Sequence, residues 1–150
     1  MSMFSSFNVN ASGMTAQRLR MDVISENVAN ANTTRTEDGT PYVRKLVSFA
    51  TKSEGGSASF QKVLKGASSA YVGQGVKVNS IFEDTESEQK LVYDPSHPDA
   101  DENGYVSYPN VNIVTEMTNL IDASRAYEAN ATAFNASKSM ALQGLQLTQQ

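Results

Sequence analysis

The residues best placed to do chemistry form the run Asp99-Ala100-Asp101-Glu102-Asn103-Gly104. Their spacing matches the opening of an EF-hand calcium loop, and Val106 supplies the apolar residue two positions after the glycine. Oxygen donors at alternate positions suit a hard cation. The pattern then breaks: the twelfth position, where a bidentate glutamate closes the cage, is Asn110, and Pro95 and Pro98 occupy the region of the incoming helix. An Asx-rich turn is therefore expected, with a calcium-responsive binding module centred on Asp99, Asp101 and Asn103 as the alternative.

His97 is the single histidine and there is no cysteine. A His-paired metal site, a Ser-His-Asp arrangement and a thiolate nucleophile therefore have no residues to build them. Gly73-Gln74-Gly75 lacks the third glycine and the strand and helix that frame a dinucleotide fingerprint, and reads as a strand-entry turn. Glu86, Glu88 and Lys90 read as a solvated charged stretch. The triplets Asn130-Ala131-Thr132 and Asn135-Ala136-Ser137 fall on an expected helix, which argues against glycosylation acceptors. No catalytic, cofactor-binding or metal-binding residue is assigned, and the expectation is a protein that is not an enzyme.

These residues need elements to carry them, and composition shows where those lie. The chain has 150 residues and a net charge of −4, is 39% apolar and lacks tryptophan, so a large core is not expected. With charges interspersed and no basic run, nucleic acid is not an expected partner. No apolar stretch approaches the ~18 residues of a membrane-spanning helix, and membrane insertion is not expected. The N-terminus lacks the basic region of a secretory signal peptide.

From Phe4 to Ala31 the residues Phe7, Ala11, Met14, Met21, Ile24 and Val28 share one broad helical face, and Ala16, Leu19 and Val23 lie on roughly the opposite side. Two stripes imply a helix between neighbours. Asn27, Asn30, Asn32, Thr33 and Thr34 end it, because short polar side chains compete for backbone hydrogen bonds. Strands are expected over Tyr42 to Ala50 and Val76 to Glu83. Residues 52–69 read as a Ser/Gly-rich loop in which Phe60, Val63 and Leu64 could dock as a short helical turn.

Beyond Pro109 a 3-4 spacing takes over through Ile113, Met117, Leu120, Ser124, Tyr127, Ala131, Phe134, Lys138, Ala141 and Leu145. Asn112 is the expected N-cap, with Glu116 placed for the helix dipole. A helix of ~38 residues would span ~57 Å, and a seam of that length implies a coiled coil with an internal or an external partner. A free coiled-coil adaptor is one such reading. The fold class is mainly α with a small β-rich middle, divided as 1–35 (N-terminal helix), 36–108 (β/loop region with linker) and 109–150 (long C-terminal helix).

Two segments carry a family signature, SGMTAQRLRMDVISENVANANTTR from Ser12 to Arg35 and NVNIVTEMTNLIDASRAYEANATAFNASKSM from Asn110 to Met140. Both resemble the terminal motifs of the flagellar axial proteins: the first through Ala29 to Thr33 (ANANT), the second through Arg125 to Asn130 (R-x-Y-E-A-N). Within that family the short middle and the linker Tyr93 to Asn112 are similar to those of a proximal rod subunit. The resemblance implies a structural subunit of the flagellar basal body within the periplasm, exported by the flagellar type III apparatus without a cleaved signal peptide. It implies polymerisation with copies of itself and other rod proteins into a tube that transmits torque. The terminal helices would pair as a coiled coil completed by neighbouring subunits. The assembly interface expected on this reading comprises Phe7, Met14, Leu19, Met21 and Val28 on the first helix, and Met117, Leu120, Tyr127, Phe134 and Leu145 on the second. Without neighbours, the helical ends of a lone subunit are expected to be largely unfolded.

Overall fold

The computed structural model describes residues 3–52 and 75–147. Most of the expected loop over 52–69, including the helical turn at Phe60, Val63 and Leu64, lies outside the described residues, as does Gly73. The elements run α1 (Met3–Ala29), β1 (Lys45–Thr51), β2 (Val76–Glu83), β3 (Lys90–Tyr93), β4 (Tyr105–Tyr108) and α2 (Ile113–Leu147). The N-terminal helix, the small β middle and the long C-terminal helix expected from the sequence are all present.

Helix α1 stops where asparagines begin to compete for its backbone. The Asn30 side-chain amide donates to the Glu26 carbonyl at 3.0 Å, and the Thr33 hydroxyl donates to Asn30 Oδ1 at 3.2 Å. At the start of α2, Asn112 Oδ1 accepts from the N–H groups of Val114 at 3.0 Å and Thr115 at 3.3 Å, the N-cap read from the sequence. No proline follows before the chain end, and α2 runs 35 residues.

The strands form two two-stranded sheets, β1 with β2 and β3 with β4. The β3–β4 hairpin is antiparallel, with Lys90 opposite Tyr108 and Tyr93 opposite Tyr105. Its rings of Tyr93 and Tyr105 meet edge-on at 5.3 Å on one face, while Val106 on the other is fully buried. Sequence pattern missed this hairpin, because four-residue strands separated by a long acidic connection carry too short an alternation to register.

The chain divides into two compact units, the first with residues 18–48 and 80–124, the second with residues 3–17, 49–52, 75–79 and 125–147 among those described. The first unit holds buried residues from α1 (Val23, Ile24), β4 (Val106) and α2 (Ala123), together with Tyr42 from the chain before β1. In the second unit the rings of Phe7 and Phe134 meet edge-on at 5.0 Å. There α1 and α2 approach closely at Gly13, where a Cβ would stand 2.7 Å from Asn130 Oδ1. At Gly75 the backbone has φ +100°, and a Cβ would stand 2.2 Å from Ser12 Oγ. The next residue, Val76, donates its N–H to that same Ser12 hydroxyl at 3.1 Å. Only glycine fits there, both for its dihedral and for the room it leaves.

Candidate functional site

The acidic run that resembles a calcium loop is the connection of the β3–β4 hairpin. Asp101 Oδ1 accepts from the N–H groups of Asn103 at 2.9 Å and Tyr105 at 2.7 Å, an Asx turn that brings the chain back into β4. Asp99 is committed elsewhere: it accepts from the Thr34 hydroxyl at 2.9 Å and pairs with Arg35 at 3.6 Å. His97 Nδ1 accepts the Asp99 backbone N–H at 3.1 Å. Asp94 caps the first turn through the N–H and hydroxyl of Ser96, and these bonds hold its carboxyl below the usual range. Asp101 thus orders the loop, and Asp99 fastens it to the chain after α1.

Among the described residues the densest polar chemistry lies in the first unit, around Asn27. This side chain is fully buried, and its donors and acceptors are all used. Its amide donates to the Lys45 carbonyl at 2.8 Å and to Glu116 Oε2 at 3.1 Å. Its Oδ1 accepts from the Tyr42 hydroxyl at 2.9 Å and the Lys45 N–H at 2.8 Å. Glu116, 1% exposed, takes the Arg44 guanidinium on Oε1, from Nε at 2.9 Å and Nη2 at 2.6 Å. Arg44 also approaches Asp84 at 3.5 Å. Asn110 closes the network, accepting the Arg44 N–H at 2.9 Å and donating to the Asp84 carbonyl at 2.7 Å.

The network joins the end of α1, the chain entering β1, the chain leaving β2 and the first turn of α2. A buried carboxylate is tolerated only when paired and hydrogen-bonded, and Glu116 meets both conditions. Burial raises the Tyr42 phenol from 10.0 to about 12, with Glu26, Glu116 and Glu83 adding repulsion against its anion. Hydrogen bonds from Ser87 and Glu86, aided by Arg44, hold the Asp84 carboxyl below its usual value.

This node was hidden from sequence reading. Asn27 reads as a helix terminator and Glu116 as a partner of the helix dipole, since neither residue type advertises burial. The one available signal is spacing: Glu116 stands four and seven residues before Leu120 and Ala123, on the side of α2 that becomes covered.

The residues of the expected assembly interface fall into two groups. Phe7, Met14, Leu19, Met21 and Val28 on α1 are half-buried, as are Leu120, Tyr127 and Phe134 on α2, whereas Met117 and Leu145 are exposed. The covered side of α2 keeps Leu120, Tyr127, Phe134 and Ala141 from the expected seam. Between them it places Glu116, Ala123, Asn130 and Ser137, polar or small residues that a hydropathy count passes over. Outside that side, at the first turns of α2, Ile113, Val114, Met117 and Ile121 form an exposed apolar stripe, with Val114 75% and Met117 55% exposed. Met140, Leu142 and Leu145 form another exposed apolar group near its far end.

Long helices with apolar faces left open, braced by a polar node and a small hairpin, define a protein whose surface is made for packing. Comparison with known proteins gives that class its content. Residues 7–35 match the family described as flagella basal body rod protein, and residues 102–147 match the C-terminal family of flagellar basal body rod FlgEFG proteins. The chain is 47% identical to the flagellar basal-body rod protein FlgC of Bacillus subtilis, over 98% of this chain and 99% of that protein. It is 49% identical to that of Borreliella burgdorferi over 99% of each, and 40% identical to that of Salmonella typhimurium over 99% of this chain and 100% of that protein. The chain belongs to the family of flagellar basal-body rod proteins FlgC, as a structural rod subunit of the flagellar basal body.

Proposed function

We propose that the subunit polymerises through its terminal helices, with copies of itself and with other rod proteins, into the proximal part of a tube that transmits torque through the cell envelope. The observation that carries this reading is the exposed stripe Ile113, Val114, Met117 and Ile121 on a long helix of a rod-family protein. Covering such a stripe returns about 25 cal/mol for each Å2 of apolar surface removed from water. Neighbouring helices complete a coiled coil around α1 and α2, and residues 1–35, 36–108 and 109–150 act as helix, spacer and helix. The ten interface residues from Phe7 to Leu145 work in packing. The subunit acts in packing and not in catalysis, reaches the periplasm through the flagellar type III apparatus, and carries load over many contacts at once.

The test is a variant with Met117→Asp and Ile121→Asp together. Both side chains are exposed in the lone chain, so the fold should survive, as read by circular dichroism. Secreted subunit should match wild type while completed basal bodies fall at least tenfold. Rods completed at wild-type number with this variant would refute the assembly reading of the stripe.

A further inference from the structure

We infer that Met117 is an oxidation site in the assembly surface: a peroxide meeting the free subunit converts its thioether to the sulfoxide, and the sulfoxide keeps the first turns of α2 from packing. The inference rests on the assembly reading and adds to it a covalent state of the subunit that does not assemble.

The chain holds no cysteine, so the methionine thioethers are its oxidisable sulfur. Among the described side chains, Met14 and Met21 on α1 are half-buried, whereas Met117 and Met140 on α2 are exposed. A peroxide must reach the sulfur from solvent, which singles out the latter two. The sulfur lone pair takes one oxygen from the peroxide: the O–O bond breaks as the S–O bond forms, and the other oxygen leaves as water. Sulfur is oxidised, the peroxide is reduced, and no further reactant is needed.

Surroundings separate the consequences at the two exposed thioethers. On a helix the neighbours of a side chain stand three and four residues away. For Met117 these include Ile113, Val114 and Ile121, branched apolar side chains that are all exposed, so its sulfur is central to the apolar stripe. For Met140 the same positions hold Ala136, Ser137, Gln143 and Gly144, which are small or polar. An unbranched thioether adapts to whatever surface closes over it. Its sulfoxide is a polar group with a strong acceptor, harmless while it faces water and costly once buried without a donor. Oxidation at Met117 therefore leaves the lone fold as it is and acts on association. Oxidation at Met140 places the same acceptor among groups that tolerate it.

Hydrogen peroxide on the purified full chain tests both the site and its effect. Peptide mass spectrometry over time should show Met117 and Met140 gaining an oxygen about tenfold faster than Met14 and Met21, with circular dichroism unchanged. Association, read by sedimentation velocity in sodium sulfate, is scored for each variant as the ratio of treated to untreated subunit, so that any basal effect of a substitution cancels. That ratio should fall about tenfold for wild type and for Met140→Leu and hold steady for Met117→Leu, and methionine sulfoxide reductases should restore the wild type. In cells, Met117→Gln sets a permanent polar acceptor at this position and should cut completed basal bodies about tenfold, against about twofold at most for Met140→Gln. This count decides the consequence whether or not purified subunits associate. Met117 reacting no faster than Met14 would overturn the inference, as would a Met117→Leu ratio that falls as far as wild type, or normal rods with Met117→Gln. The assembly reading fails on a separate result, normal rods with Met117→Asp and Ile121→Asp, into which no peroxide enters.

Discussion

Glu116 and Arg44 show how a single buried pair constrains this protein. Removing one partner strands a buried charge, so Glu116→Ala should lower stability by about 3–5 kcal/mol, while Arg44→Met with Glu116→Leu should recover much of the loss by replacing the pair with apolar volume. Urea midpoints of the single and double variants check this. Tyr42 carries a pH dependence of known sign. Below about pH 10 its phenol is protonated whether the chain is folded or not. Between about 10 and 12 the unfolded chain releases the proton and the folded one keeps it, so stability falls over that window. Urea midpoints at pH 8, 10 and 11 should show wild type losing stability faster than Tyr42→Phe above pH 10. Asp84 acts with the opposite sign: its contribution is present above its unfolded value and is lost as pH falls through the lower folded one.

Each helix offers its own experiment. The cap at Asn112 serves two N–H groups of α2, so Asn112→Ala should cost about 1 kcal/mol in thermal or urea unfolding. Along α2, Leu120 and Tyr127 are half-buried in the lone chain and Lys138 is exposed. Leu120→Ala and Tyr127→Ala each remove apolar volume at every copy of the subunit, at about 2–5 kcal/mol where the site is fully covered. Cells carrying either should export the subunit and complete few rods, whereas Lys138→Gln should be mild, because a lysine keeps its ammonium at a polar edge. Counting basal bodies beside exported subunit decides it. Normal rods with the first two and none with the third would displace the seam.

For the subunit as a unit of assembly, the balance of forces is apolar. On the proposed assembly, a net charge of −4 should make copies repel weakly at long range, while the exposed stripes on α2 should attract at contact. Association of purified subunits should therefore strengthen with sodium sulfate, which favours burial of apolar surface, and should persist in 1 M sodium chloride, about 3 Å of Debye length. Sedimentation velocity across those salts measures it. The variant with Met117→Asp and Ile121→Asp should lose the sulfate response, and association abolished by sodium chloride would instead mark an electrostatic interface.

Much of this protein is written locally. The 3.6-residue periodicity of α1 and α2, the Asn112 cap, the asparagines after Ala29 and the β-branched run of β2 act over one or two turns or a few residues, and such signals survive in a single chain read in order. The Asx turn at Asp101 is local in the same way, because its bonds reach only to residues 103 and 105. Tertiary structure alone decided the rest. Asn27 meets Lys45 and Glu116, separated from it by 18 and 89 positions, and a hydrogen bond at such range depends on the path of the whole chain. The covered side of α2 was settled likewise, since Glu116 and Asn130 are polar and gain their burial from partners that no periodicity reveals. Apolar spacing shows that a helix must pack; which polar residues pack with it depends on where their partners arrive.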